Sequence, residues 1–137
     1  MPLPRSEELG PPMDDATCNI VAEFFSVYSN PTRIHIFCGL RTGPKTVSEL
    51  AEHAKVSLQN VSQHLRVMKD KGALTSEKRG QRVYYSVADA KFLFGVKMIR
   101  DALVEMLKRR AALMPFGAPS GSARSGAWHK PLKKKSA

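Results

Sequence analysis

Residues 46–87, TVSELAEHAKVSLQNVSQHLRVMKDKGALTSEKRGQRVYYSV, decide how the chain is read. Thr46-Val47-Ser48-Glu49 has the form of a capping box, in which a hydroxyl and a carboxylate satisfy backbone N–H groups that a helix start leaves orphaned. It predicts a short helix to about residue 54. Ser57 is a second N-cap. The helix it starts runs to about Lys71 and stops at Gly72, the residue type favoured where a helix end turns left-handed. Two helices joined by a short turn around Lys55-Val56 make a helix-turn-helix pattern. Residues 73–78 and 82–87 are rich in β-formers and flank a turn at Arg79-Gly80-Gln81. They predict a β-hairpin with a basic tip.

Working outward, Asp14 and Asp15 can cap a helix running to about Tyr28, with Ile20, Val21, Phe24, Phe25 and Tyr28 at helical spacing. Asn30 followed by Pro31 restarts the chain as a second helix to about Leu40. On it Ile34, Phe37 and Cys38 are expected to share a face. Arg41-Thr42-Gly43-Pro44 ends that helix. Beyond the hairpin, Asp89 caps a long last helix to about Met114. It carries Phe92, Val96, Ile99, Leu103 and Met106 as an apolar stripe, widened by Leu93 and Leu107. The order α-α-α-α-β-β-α is mainly α with a small β-hairpin (α+β), a winged helix-turn-helix. Residues 1–13, with Pro2, Pro4, Pro11 and Pro12, are expected to be a disordered arm. Residues 14–114 form the domain. Residues 115–137 are rich in Gly, Ser, Pro and Ala without apolar periodicity, and are expected to be a disordered basic tail.

The charge is placed unevenly. Of 137 residues, 22 are Lys or Arg and 12 Asp or Glu, a net charge of +10. Such a balance points to a polyanionic partner. Residues 1–53 hold four basic and seven acidic groups, residues 54–110 thirteen and five, and residues 111–137 five and none. The folded excess therefore sits in the second half of the domain. No apolar run approaches the roughly 20 residues that span a bilayer, and the N-terminus lacks the apolar core of a signal peptide. No membrane partner and a cytoplasmic location are expected. Two cysteines are too few for a secreted disulfide scaffold.

Helical geometry sorts the residues after Ser57. At about 100° per residue with Gln59 at 0°, Leu58, Val61, Leu65 and Met68 fall between about 180° and 260°, one buried face. Gln59, Asn60, Gln63, Arg66 and Asp70 make the opposite, exposed face. Val67 is misplaced among them, and Ser62 and His64 lie at the flanks. Gln and Asn side chains can pair with base edges in the major groove, adenine in particular. Lys55, Arg66, Lys69 and Lys71 surround this helix and can meet phosphates, which supply affinity rather than sequence choice. Lys78, Arg79, Gln81 and Arg82 on the hairpin tip are placed for phosphates or the minor groove.

This stretch resembles the winged helix-turn-helix of the ArsR/SmtB bacterial transcriptional repressors. The similarity rests on SELAE, on Val61-Ser62-Gln63-His64-Leu65, and on the wing that follows. Asn30-Pro31-Thr32-Arg33-Ile34 resembles the family's stretch before its second helix. The resemblance covers about residues 14–110. It implies a homodimer built on the first and last helices, which binds a palindromic double-stranded DNA operator as a repressor and is released by a signal. Ser57, Gln59, Asn60, Ser62, Gln63, His64, Arg66, Lys69, Lys78, Arg79, Gln81 and Arg82 are the expected DNA contacts.

The same resemblance locates two metal sites used in that family, and neither is complete here. In Glu49-Leu50-Ala51-Glu52-His53, Ala51 and His53 stand where two cysteines belong. On the last helix Asp89 and Glu105 match, but Lys91 and Ala102 replace the two histidines. No metal and no cofactor are expected. Cys18 and Cys38 are candidate sensor residues. One reading is that both pack as small apolar side chains. The other is a thiol sensor, since antiparallel first and second helices would place the two at similar heights. No nucleophile-base arrangement, paired carboxylates or phosphate loop suggests an enzyme. The reading is a sequence-specific repressor with an unidentified inducer. The alternative is a non-specific architectural DNA-binding protein using the basic tail.

Overall fold

The computed structural model describes residues 2–114. The basic tail, residues 115–137, lies outside the described residues. Within the arm expected to be disordered, α1 (Ser6–Leu9) forms one helical turn that buries no residue. The Asp14 carboxylate accepts a hydrogen bond from the Thr17 N–H at 2.8 Å and starts α2 (Asp15–Phe25). This helix ends before Tyr28, the expected limit. The Ser26 hydroxyl donates to the Glu23 carbonyl at 2.6 Å, a local bond that competes with regular helix continuation. Ser26–Tyr28 tighten into a 3-10 turn.

In α3 (Pro31–Leu40) the Asn30 side chain accepts from the Thr32 and Arg33 N–H groups, and Pro31 occupies the first turn. Next come β1 (Lys45–Thr46), α4 (Val47–Ala54), α5 (Leu58–Asp70), β2 (Leu74–Arg79), β3 (Arg82–Val87) and α6 (Ala90–Ala112). The hairpin is present, with register running from Leu74 opposite Val87 to Arg79 opposite Arg82. A third strand was not foreseen. β1 pairs antiparallel with β3, Lys45 opposite Tyr85 and Thr46 opposite Tyr84, so the sheet order is β1-β3-β2. Two residues are too few to show alternation. Thr46 also caps α4, both halves of its capping box being formed with Glu49.

The core lies between α3, α4, α5 and the sheet. Val27, Ile36, Phe37, Leu50, Val61, Leu65 and Met68 are fully buried. On α3 the buried face is Ile36, Phe37 and Leu40. Cys38 is exposed, contrary to the expected sharing of a face with Phe37. At 100° per residue it lies about 160° from Leu40, on the far side of the helix. Gly39 lets α3 and α4 approach closely. A Cβ there would sit 3.1 Å from both Leu50 Cδ2 and His53 Cδ2.

Neither α2 nor α6 contains a fully buried residue. They join the body through an aromatic cluster. Phe24 stacks on Phe92 with centroids 4.5 Å apart, Tyr28 meets Phe24 edge-on, and the Tyr28 hydroxyl donates to the Phe92 carbonyl at 3.2 Å. Beyond this anchor, Phe94, Met98, Ile99, Leu103 and Val104 of α6 stay exposed, as do Ile20 and Phe25 of α2. α2 does not lie along α3. The antiparallel pairing that would have aligned Cys18 with Cys38 is therefore not the arrangement found, and both thiols are free and exposed.

Candidate DNA-reading surface

The surface is built on the turn between α4 and α5. Lys55 closes α4 in the left-handed region (φ 59°), and Val56, half-buried, packs against the core. Ser57 then starts α5, its hydroxyl accepting from the Asn60 N–H at 3.1 Å. Val61, Leu65 and Met68 fix the helix to the body with no exposure. Leu58, expected on that buried face, is 54% exposed. It lies at the edge of the apolar arc in the first turn, where Val56 already covers the core. Val67 is half-buried.

With the apolar side anchored, Gln59, Asn60, Ser62, Gln63 and Arg66 are all exposed on the outward side. The side chains of Gln59, Gln63 and Arg66 make no hydrogen bond among the described residues. Their donors and acceptors are available to a partner. His64 is half-buried at the flank. Its Nδ1 accepts from Arg33 Nε of α3 at 3.2 Å. Partial burial, and after it the Arg33 charge, hold its imidazole below the usual histidine range.

Several of the expected basic contacts are already engaged. Lys69 Nζ donates to Ser76 Oγ of β2 at 2.6 Å, tying α5 to the wing. Lys71 Nζ lies 2.6 Å from Glu23 Oε1 of α2 and pulls that carboxyl below its usual range. Arg79 pairs with Glu77 at 2.8 Å and lies over the Tyr84 ring, 4.8 Å from its centroid. Arg82, opposite Arg79, lies close enough to α4 to help lower the Glu49 carboxyl, after the Thr46 hydrogen bonds that dominate that shift. Lys78 and Gln81 are exposed beside the Gly80 turn, where φ of 64° suits glycine. The structure therefore joins α5 to the wing through Lys69 and Ser76, and leaves Gln59, Asn60, Gln63 and Arg66 of α5 and Lys78 and Gln81 of the wing exposed. It turns Lys69, Lys71 and Arg79 into braces.

Residues 30–76 match the model of the bacterial regulatory protein, arsR family. The transcriptional repressor SdpR of Bacillus subtilis is 35% identical over 63 residues, 46% of this chain and 70% of that protein. The chain belongs to the ArsR family. A SmtB repressor homologue of Synechocystis is 33% identical over 85 residues, covering 62% of this chain and 64% of that protein. Among solved structures, a homodimeric winged helix-turn-helix domain from Mycobacterium bovis superposes with a TM-score of 0.64 at 23% identity, over 71% of this chain and 93% of that one. The ArsR-family chain is thus a winged helix-turn-helix DNA-binding transcriptional regulator, not an enzyme.

The remaining sequence-level candidates fall elsewhere. Asp89, one of the two carboxylates at the family's last-helix metal positions, caps α6 by accepting from the Lys91 N–H at 2.8 Å, and Lys91 Nζ lies 3.3 Å from it. No group of three His, Cys, Asp or Glu among the described residues could hold a metal ion. Cys18 Sγ contacts the Met13 carbonyl at 3.9 Å, and Cys38 lies on the solvent side of α3. No helix among the described residues is long and apolar enough to cross a membrane.

Two side-chain links across the fold were not legible locally. Arg33 reaches His64 across 31 positions, and Glu23 reaches Lys71 across 48. One clue to Arg33 existed. A cation in the first turn of a helix opposes the macrodipole and so implies a partner elsewhere.

Proposed function

We propose that this chain is a homodimeric repressor that binds a palindromic operator in double-stranded DNA and leaves it in response to a signal. The observation that carries the reading is the exposed Gln59, Asn60, Gln63 and Arg66 face of α5, uncommitted within the chain, on a helix that Lys69 ties to the wing. Ser57, Ser62 and His64 border that face, Lys69 braces the helix against β2, and Arg79 is held within the wing by Glu77.

Dimerisation through α2 and α6 is supported by their exposed Ile20, Phe25, Met98, Ile99 and Leu103. An apolar stripe left uncovered on a long helix suits a partner copy. The similar Mycobacterium bovis domain is itself described as homodimeric. Two copies would present their α5 helices about 34–36 Å apart, one turn of duplex.

Footprinting on the gene's own promoter region, with a scrambled site as control, tests the proposal. The expected result is a protected palindrome and a loss of affinity of about a thousandfold or more on scrambling. Equal affinity for both duplexes would identify an architectural DNA-binding protein instead. Thiol oxidants, arsenite and divalent metals added to the same assay examine release. Cys18 and Cys38 are open to such reagents. An oxidant response that survives Cys18→Ser with Cys38→Ser would exclude them as its sensor.

A further inference from the structure

Arg33 is the third residue of α3, in a first turn without an acidic side chain. Its guanidinium is used twice. Nη1 donates to the Ser26 carbonyl at 3.3 Å, in the turn that follows α2. Nε donates to His64 Nδ1 on α5 at 3.2 Å. A ring nitrogen that accepts carries no proton, so His64 is neutral with its proton on Nε2. Nε2 has no partner among the described residues and is not buried, so its N–H opens to solvent on the flank of α5.

Arg33 is the charged group that acts on His64. Burial adds to its effect in holding the ring below the usual histidine range. Protonation of His64 would place two cations within 3.2 Å and remove the lone pair that binds them together.

We propose that Arg33 is a positioning residue for DNA binding: it locks His64 in the neutral Nε2–H form, so that α5 offers the duplex a hydrogen-bond donor rather than a cation. The inference rests on the reading of α5 as the DNA-contacting helix. It separates His64 from an ordinary phosphate-binding histidine. Such a histidine takes up a proton on binding, and acid then strengthens the complex. Here acid breaks the Arg33 bond and releases the ring.

Two measurements on the full chain test this. The first is nitrogen NMR of the histidine side chains without DNA. The expected result is an Nε2–H tautomer at His64 that resists protonation to below the ordinary histidine range. Arg33→Leu should yield mixed tautomers and an ordinary titration. Arg33→Gln, which retains a neutral N–H donor, should restore the tautomer. An Nδ1–H tautomer in the unaltered protein would overturn the proposal.

The second is operator affinity in a double-mutant cycle. Arg33→Leu and His64→Ala should each weaken binding roughly three- to tenfold, the worth of about one hydrogen bond. The combined variant should be no weaker than His64→Ala. Additive losses would show Arg33 acting on DNA by itself and would overturn the proposal. If Gln63→Ala and Arg66→Ala also leave operator affinity unchanged, the DNA-contacting reading of α5 fails and the proposal fails with it. If those two variants weaken binding and Arg33→Leu does not, only this proposal fails.

Discussion

At the scale of single residues, polar side chains divide between those that hold the fold and those left free. Ser57 holds the fold, since its hydroxyl oxygen accepts the Asn60 N–H at the start of α5. Ser57→Ala should lower stability by about 1 kcal/mol, read from the denaturant midpoint at fixed protein concentration. An unchanged midpoint would show that the cap adds nothing. Gln63 is free, and Gln63→Ala should weaken operator binding by about 1–3 kcal/mol and relax preference at one base pair. Equal weakening on every duplex would show that Gln63 does not read a base. His64 sets a pH dependence. Its folded pKa lies below the unfolded value, so the unfolded chain takes up the proton first. The His64 contribution is fully present above about pH 6.5 and declines as pH falls from there toward the folded value. His64→Gln should remove this part of the acid dependence in thermal melts taken between neutral pH and about pH 5.

At the scale of elements, α5 is anchored on one side and usable on the other. Leu65 lies at the centre of the anchored side with no exposure. Leu65→Ala should cost about 2–5 kcal/mol through lost burial and a cavity, seen as a large fall in Tm. A loss below about 1 kcal/mol would mean that the site collapses around the smaller side chain. The extent of α5 could be read from its caps and period, because those signals lie within one or two turns. Its burial pattern was less legible. Leu58 has the right angle for the core but the wrong height, being in the first turn beside Val56. Cys38 was placed on the buried side of α3, whereas Ile36 and Leu40 define that side. β1 left no sequence signal, since two residues have no period and need Tyr84 and Tyr85 opposite them to become a strand.

At the scale of the whole molecule, the unusual feature is how much apolar surface α2 and α6 leave uncovered. Ile99 and Leu103 are 51% and 41% exposed near the middle of α6. The double variant Ile99→Glu with Leu103→Glu should convert a dimer into a monomer in sedimentation velocity. It should weaken operator binding by well over tenfold, since one half-site contact is lost. A variant that still sediments as a dimer would place the interface elsewhere.

The sequence by itself determined the helix-turn-helix, the hairpin, the long last helix and the polar face of α5. Caps, turns and hydrophobic period are properties of neighbours in the chain, so they are written locally. Only the tertiary structure decided which of the cations are spare. Lys69 and Lys71 look alike as basic residues, yet they bind Ser76 of β2 and Glu23 of α2. It also decided the state of His64, which depends on a guanidinium 31 positions away. Hydrogen bonds and charge pairs act over a few ångströms in space whatever the separation along the chain, so only the fold brings their partners together.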